Sequence, residues 1–341
     1  MFSLQNSFPS IISGEGEPEL RVFFLFPLSL HKIKHICPLF LRFNIIINIY
    51  IDIRMSLVKR KLKRRCSGIE QCAKLLEDDW KYEVIYGGSL KHVDLKHGSN
   101  GWASPPGDLF SLRSQTYFTK KAKAPSGPWL LQPAGVDWLR SYDKLDHVLG
   151  RTDNRVMNAL RKAQSIGKNM KSFVMAVNLQ MPGRENHSAV FYFSTDDPIA
   201  SGSLLDRFIN GDDAFRNSRF KMVNRIVKGP WLVKNTVGNY SACLLGKALS
   251  CSYHRGDNYL EIDVDIASSA IATTILHLAL GCVTAVTIDM GFMVEAQCEE
   301  ELPERLFGAV RISEMEMSSA SFVETRSFNK KVGGAGSLSS N

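Results

Sequence analysis

The 341 residues are 44% hydrophobic, 22% charged and 10% aromatic, enough for one large domain or two ordinary ones whose core needs no covalent staples. Seven cysteines, odd in number and without a C-x-x-C pair, argue against a disulfide framework and a zinc site and fit a reducing compartment. The net charge of +8 is local: Lys59, Arg60, Lys61, Lys63, Arg64 and Arg65 carry six of those charges, leaving +2 for all the rest. That is not the broad basic surface of a nucleic-acid binder, and no nucleic-acid partner is expected.

In chain order, residues 1–58 read as a poorly structured leader. Its apolar stretch, 20–53, is interrupted by Arg21, Lys32, Lys34, Arg42 and Asp52, and its charge-free runs at 22–31 and 43–51 are too short to span a bilayer, which takes about 20 apolar residues. Glu15, Glu17 and Glu19 stand where a secretory signal needs positive charge. The Phe/Ile/Asn/Tyr bias resembles translated non-coding sequence, so the natural start is expected at Met55; a peptide found ahead of Met55 refutes this. The basic tag and a short amphipathic helix occupy 59–83, and the Gly87-Gly88 pair marks the approach to a domain expected over 84–325.

Within it, 98–107 form a turn region fixed by Gly and Pro, and 153–170 have helical spacing. Strands are expected at 173–179 and 188–193, a short helix at 203–209, and a strand over 219–227 that Gly229-Pro230 turns into another through Trp231 and Val233. Residues 243–253 and 259–266 read as a strand pair. Ser268-Ser269 caps a helix carrying Ile271, Ile275, Leu278 and Leu280. Strand composition returns over 282–296, a brief helical link follows at 299–306, and a last strand is expected at 309–315; the tail 326–341 reads as disordered. Strands joined by short turns with a few packed helices give an α+β fold with a largely antiparallel sheet.

The motifs Gly101-Trp102-Ala103-Ser104-Pro105-Pro106-Gly107-Asp108-Leu109-Phe110 and Ala176-Val177-Asn178-Leu179-Gln180-Met181-Pro182-Gly183 come first in a longer series. It continues through Phe208-Ile209-Asn210-Gly211-Asp212-Asp213-Ala214-Phe215-Arg216-Asn217, Gly229-Pro230-Trp231, Tyr253-His254-Arg255-Gly256, Glu261-Ile262-Asp263-Val264-Asp265 and Glu300-Glu301-Leu302-Pro303-Glu304. In this order they resemble the C-terminal domain of the plant enhanced disease resistance two-like family. The resemblance implies a regulatory role in defence and cell-death control. Full-length members of that family place a pleckstrin-homology domain and a lipid-transfer domain ahead of this one and associate with phosphoinositides and endomembranes, so none of their lipid-binding residues carries over.

No constellation points to catalysis. There is no G-x-S-x-G elbow, and the glycines of Gly238 to Gly246-Lys247 stand too far apart for a phosphate loop. Asp212 and Asp213 after Gly211 read as a helix cap. Glu261, Asp263 and Asp265 alternate on one strand face and would suit a hard cation such as calcium or magnesium, although a solvated sheet face is the stronger expectation. No catalytic residue and no cofactor is assigned, and the chain is read as not an enzyme.

For anions, Arg219, Lys221 and Arg225 share one face of the strand expected at 219–227, with Arg216 just before it, fit for a phospholipid headgroup or for salt bridges to Glu261 or Asp263. The tag 59–65 would add about 1 kcal/mol per basic residue near an anionic leaflet, rivalled by a nuclear localisation signal. The leading expectation is a cytoplasmic module, peripheral on endomembranes or plasma membrane, that binds anionic phospholipid. A cavity lined by 271–280 and 283–294 would favour this. The alternative is a protein-interaction scaffold with a solid core and an unknown protein partner.

Overall fold

A computed structural model describes residues 80–325 other than Asn239. The leader, the tag at 59–65 and the tail from 326 therefore lie outside the described residues. Helix α1 (Trp80–Tyr86) is followed by β1 (Lys91–His92), β2 (Gly101–Ala103), β3 (Ser111–Arg113), α2 (Tyr117–Lys120), β4 (Lys123–Pro125) and β5 (Gln132–Ser141). Next come α3 (Arg155–Ser165), β6 (Phe173–Met181), β7 (Asn186–Thr195), α4 (Leu204–Asn210), α5 (Asp213–Arg219) and β8 (Phe220–Lys228). The series ends with α6 (Trp231–Val237), β9 (Tyr240–Leu244), α7 (Leu245–Ala248), β10 (Ser250–Arg255), β11 (Tyr259–Asp265), α8 (Ala270–Leu280), β12 (Thr287–Val294), β13 (Leu306–Ser313) and β14 (Ser321–Phe322).

Two six-stranded sheets result, ordered β1-β2-β13-β12-β8-β9 and β10-β11-β6-β7-β5-β14, with β3-β4 as a separate hairpin. Only β1–β2, β11–β6 and β5–β14 run parallel, so the α+β, largely antiparallel architecture holds. The sheets share one core because alternate residues of each face the other. Met175, Val177, Phe191, Phe193 and Ile262 meet Phe220, Met290, Phe292, Phe307 and Val310 there. Phe292 is the hub, with ring centroids 5.6 Å from Phe191, 5.9 Å from Phe193 and 6.2 Å from Phe307. Gly308 makes this packing possible, since a Cβ there would lie 2.2 Å from the Phe193 ring.

Each sheet also has a covered outer face. Val174, Ala176, Val190 and Tyr192 pack under α3 and α1, so the helix ahead of Gly87-Gly88 belongs to the same body. Phe110, just before β3, and Leu112 within it pack on Val223, Met293 and Ala309 of the other sheet. Both outer faces must then bury polar residues, and they do.

Several elements depart from the sequence expectation. Residues 231–237 are helix rather than strand, because Pro230 supplies a fixed φ and its carbonyl takes the first helical bond, from the Lys234 amide. Trp231 therefore lies on a surface helix and is 72% exposed, whereas Trp102 is buried in β2. The stretch 243–253 is broken by α7 into β9 and β10, which lie in different sheets. Helix α8, capped by Ser269 as its sequence predicts, carries apolar side chains all round yet buries none of its residues fully.

Candidate functional site

Of the three cations expected along the strand, Lys221 and Arg225 stand on β8, whereas Arg219, like Arg216 ahead of it, belongs to α5. Asp289 of β12 lies directly opposite Arg225 on one neighbouring strand and Arg311 on the other. Its carboxylate accepts from Arg225 Nη2 at 2.6 Å and from Arg311 Nε and Nη2 at 2.6 and 2.9 Å. Lys221 Nζ donates to Glu295 at 2.8 Å, and Arg113 reaches the same carboxylate at 3.1 Å. Arg219 and Arg207 clamp the two oxygens of Glu301 at 2.6 and 2.9 Å. Arg216 is buried, donating to the carbonyls of Phe208 and Ile209 at the end of α4 and to Asp213.

Each of the four cations is thus engaged inside the protein. The electrostatics agree. Burial alone would raise the Glu301 carboxyl, but the Gln297 amide and the Arg219 and Arg207 guanidinium groups outweigh it and hold the group down at about 2. At Glu304, burial wins over the pull of Lys221 and Arg113 and raises the carboxyl. The partners are Asp213, Asp289, Glu295, Glu301 and Glu304; Glu261 and Asp263 lie in the other sheet, so the salt bridges foreseen to them do not form.

Glu261, Asp263 and Asp265 do share one face of β11, but the face is not solvated. The segment 143–150 covers it, and the carboxylates replace the hydrogen bonds that its backbone lacks. Glu261 accepts from the amides of Val148 at 2.6 Å and Leu149 at 2.7 Å, and Asp263 from the His147 amide at 2.9 Å. Asn178 Nδ2 and His254 Nε2 also reach Asp263, at 2.8 and 3.0 Å. The His254 ring stacks on His147, centroids 4.4 Å apart, and His147 Nε2 contacts the Tyr259 hydroxyl at 2.8 Å. Asp265 caps the Ala267 amide and pairs with Lys144. Among the described residues, no group of three or more His, Cys, Asp and Glu side chains is arranged to hold a metal ion. Loop fastening is what this cluster does.

The expected cavity between 271–280 and 283–294 is filled or outside. Met290, Phe292 and Val294 lie in the aromatic core, and α8 lies at its border. A cleft of about 420 Å³ instead opens beside Leu130, Ile199, Leu204, Val294 and Phe307, rimmed by Glu301, Glu304 and Arg305. That volume falls in the small-molecule range.

What the sequence reading passed over is a part of the surface that contributes no carboxylates of its own. Residues 214–256 contain no Asp or Glu, and residues 266–288 contain no Asp, Glu, Lys or Arg. The fold joins the two: α6 packs on α8, Val233 meets Cys282 and Val286, and the Ser250 amide donates to Ser268 Oγ ahead of α8. Lys234 and Lys247 lie in this region and have no ion-pair partner among the described residues. The signal was present as a gap in charge, which a motif search does not register.

Comparison with known proteins places this geometry in a lineage. A family model described as Protein ENHANCED DISEASE RESISTANCE 2, C-terminal, matches residues 102–316. A protein from Arabidopsis thaliana named Protein ENHANCED DISEASE RESISTANCE 2-like is 43% identical over 235 residues, which is 69% of this chain and 31% of that protein. The chain thus spans about a third of the length of that relative. No solved structure matches.

Proposed function

The chain belongs to the enhanced disease resistance 2 C-terminal family, and from that premise we propose that it is a non-enzymatic regulatory module of plant defence that works at an anionic membrane surface. The observation that supports this reading is the region built from residues 214–256 and 266–288, which contribute no carboxylate of their own, with Lys234 and Lys247 inside it lacking an ion-pair partner among the described residues. Phosphatidylserine and phosphoinositides attract such a surface by about 1 kcal/mol per basic residue near the leaflet. Binding would occur on the outside of the domain, because its interior is packed with aromatic rings.

Flotation of the full chain with vesicles of phosphatidylcholine, with and without phosphatidylserine or a phosphoinositide, tests the reading. Binding that requires the anionic lipid, and that weakens in the Lys234→Glu/Lys247→Glu variant, is expected. Equal binding by variant and wild type would transfer the membrane role to the basic tag at 59–65. Failure to bind any vesicle would favour the second reading, a protein-interaction scaffold, for which the solid core speaks.

A further inference from the structure

Helix α8 poses a burial problem. Its sequence, Ala-Ile-Ala-Thr-Thr-Ile-Leu-His-Leu-Ala-Leu, contains no charged residue apart from the titratable His277, and such a helix normally lies within a core. Here Ala272, Leu276 and Leu280 touch the core from one side, while Ile271 is 76% exposed. Trp231, at 72%, and Leu232, at 46%, project from α6, which packs on α8. Cys282, just past the end of α8, contacts Val233, so the tryptophan end of the shelf adjoins the C-terminal end of α8 and Ile271 lies at the other.

We infer that the α6–α8 shelf inserts into the interfacial layer of an anionic bilayer, with Trp231, Leu232 and Ile271 as the inserted side chains. The inference rests on the membrane-surface reading above and adds the contact and its depth. Two observations favour a lipid occupant over a protein one. First, the shelf's hydroxyl and thiol groups are satisfied by their own backbone. Thr236 donates to Leu232 O at 2.9 Å, Thr274 to Ala270 O at 2.9 Å, Thr273 to Ile266 O at 3.2 Å and Cys282 to Leu278 O at 3.4 Å. Groups closed in this way need no partner on leaving water, which suits a phase that offers none. A protein interface would instead gain from outward donors on its rim.

Second, the surrounding charge complements a lipid headgroup layer. Lys234 lies on α6, and Lys247 lies three residues before Ser250, whose amide is bonded to Ser268 ahead of α8. The carboxylates that border the shelf are already neutralised, Asp265 by Lys144 and Glu314 by Lys228. An exposed tryptophan beside lysines is the combination that anchors proteins at the level of the headgroups.

Tryptophan fluorescence of the full chain decides the matter, because Trp80, Trp102 and Trp138 are buried and Trp129 is half-buried. The probe is vesicles of phosphatidylcholine and phosphatidylserine carrying brominated acyl chains, at salt high enough to screen exposed cations. A blue shift and quenching are expected in the wild type and absent from Trp231→Phe, which still binds. Ile271→Glu and Leu232→Glu are expected to weaken binding at least about tenfold, with an unchanged urea midpoint because both sites are exposed. If the wild type binds vesicles but Trp231 is not quenched and the glutamate variants bind equally, the insertion is wrong and the membrane-surface reading survives. If the wild type binds no vesicle at low salt either, both fall. A blue shift that follows protein concentration without lipid, with dimers in sedimentation, would overturn the inference in favour of a second copy of the chain.

Discussion

Glu261 links the stability of the fold to pH. Burial first, and then the neighbouring charge of Asp263, push its carboxyl up to about 9 while it holds the amides of Val148 and Leu149. A carboxyl whose folded value lies above its unfolded one of 4.5 binds its proton more tightly in the fold. Its stabilising contribution is therefore whole below about pH 4.5 and is lost as the pH climbs towards 9. Urea denaturation between about pH 6 and about pH 9 is expected to show stability falling by up to about 1.4 kcal/mol per pH unit. In Glu261→Gln that slope should flatten; an unchanged slope would assign it to another group. The alternation of Glu261, Asp263 and Asp265 was legible in the sequence, but its burial was not. The covering segment 143–150 is remote in sequence, and alternation alone does not say which side of a sheet is dry.

Strand β8 illustrates the same limit at the scale of an element. Its existence and period were plain from Phe220, Met222 and Ile226 against Lys221, Val223 and Arg225, but its partners came from tertiary pairing with β12. Glu295, Glu301 and Glu304 converge on Arg113, Arg219 and Lys221, with the more exposed Arg207 at the border, so this end of the sheet is held by a largely buried charge network. Breaking a buried pair on one side costs about 3–5 kcal/mol, since the surviving charge stays desolvated. The double variant Arg219→Glu/Lys221→Glu is accordingly expected to lose at least that much, read as a lower urea midpoint by circular dichroism. Unchanged stability would mean that the network contributes nothing and that these cations are free to serve a headgroup. Helix α6 was missed because Gly-Pro was read as a turn between strands, although a proline is equally a helix starter. The apolar character of α8 was evident, and the expectation that it would line a cavity followed from assuming that apolar surface must face inward.

At the scale of the whole molecule, both sheets depend on one aromatic hub. Phe292 touches Phe191 and Phe193 across the inter-sheet gap and Phe220 and Phe307 within its own sheet. Phe292→Ala is expected to cost about 3–5 kcal/mol, with far-UV and near-UV signals melting together; separate transitions would show that the sheets fold independently. The α+β class could be read from strand composition, while the pairing order, with β9 and β10 parted into different sheets across a single turn of helix, depends on contacts that no local pattern encodes. That parting has a consequence for recognition. The outermost strands β1 and β14 are two residues each, and β9 and β10 are flanked by α5 and α7. Among the described residues, an extended peptide seeking to add a strand to either six-stranded sheet would find two rungs on the short rims, and helices beside the longer ones. Regulation through this domain therefore favours ligands that meet its side chains over those that would extend its backbone ladder.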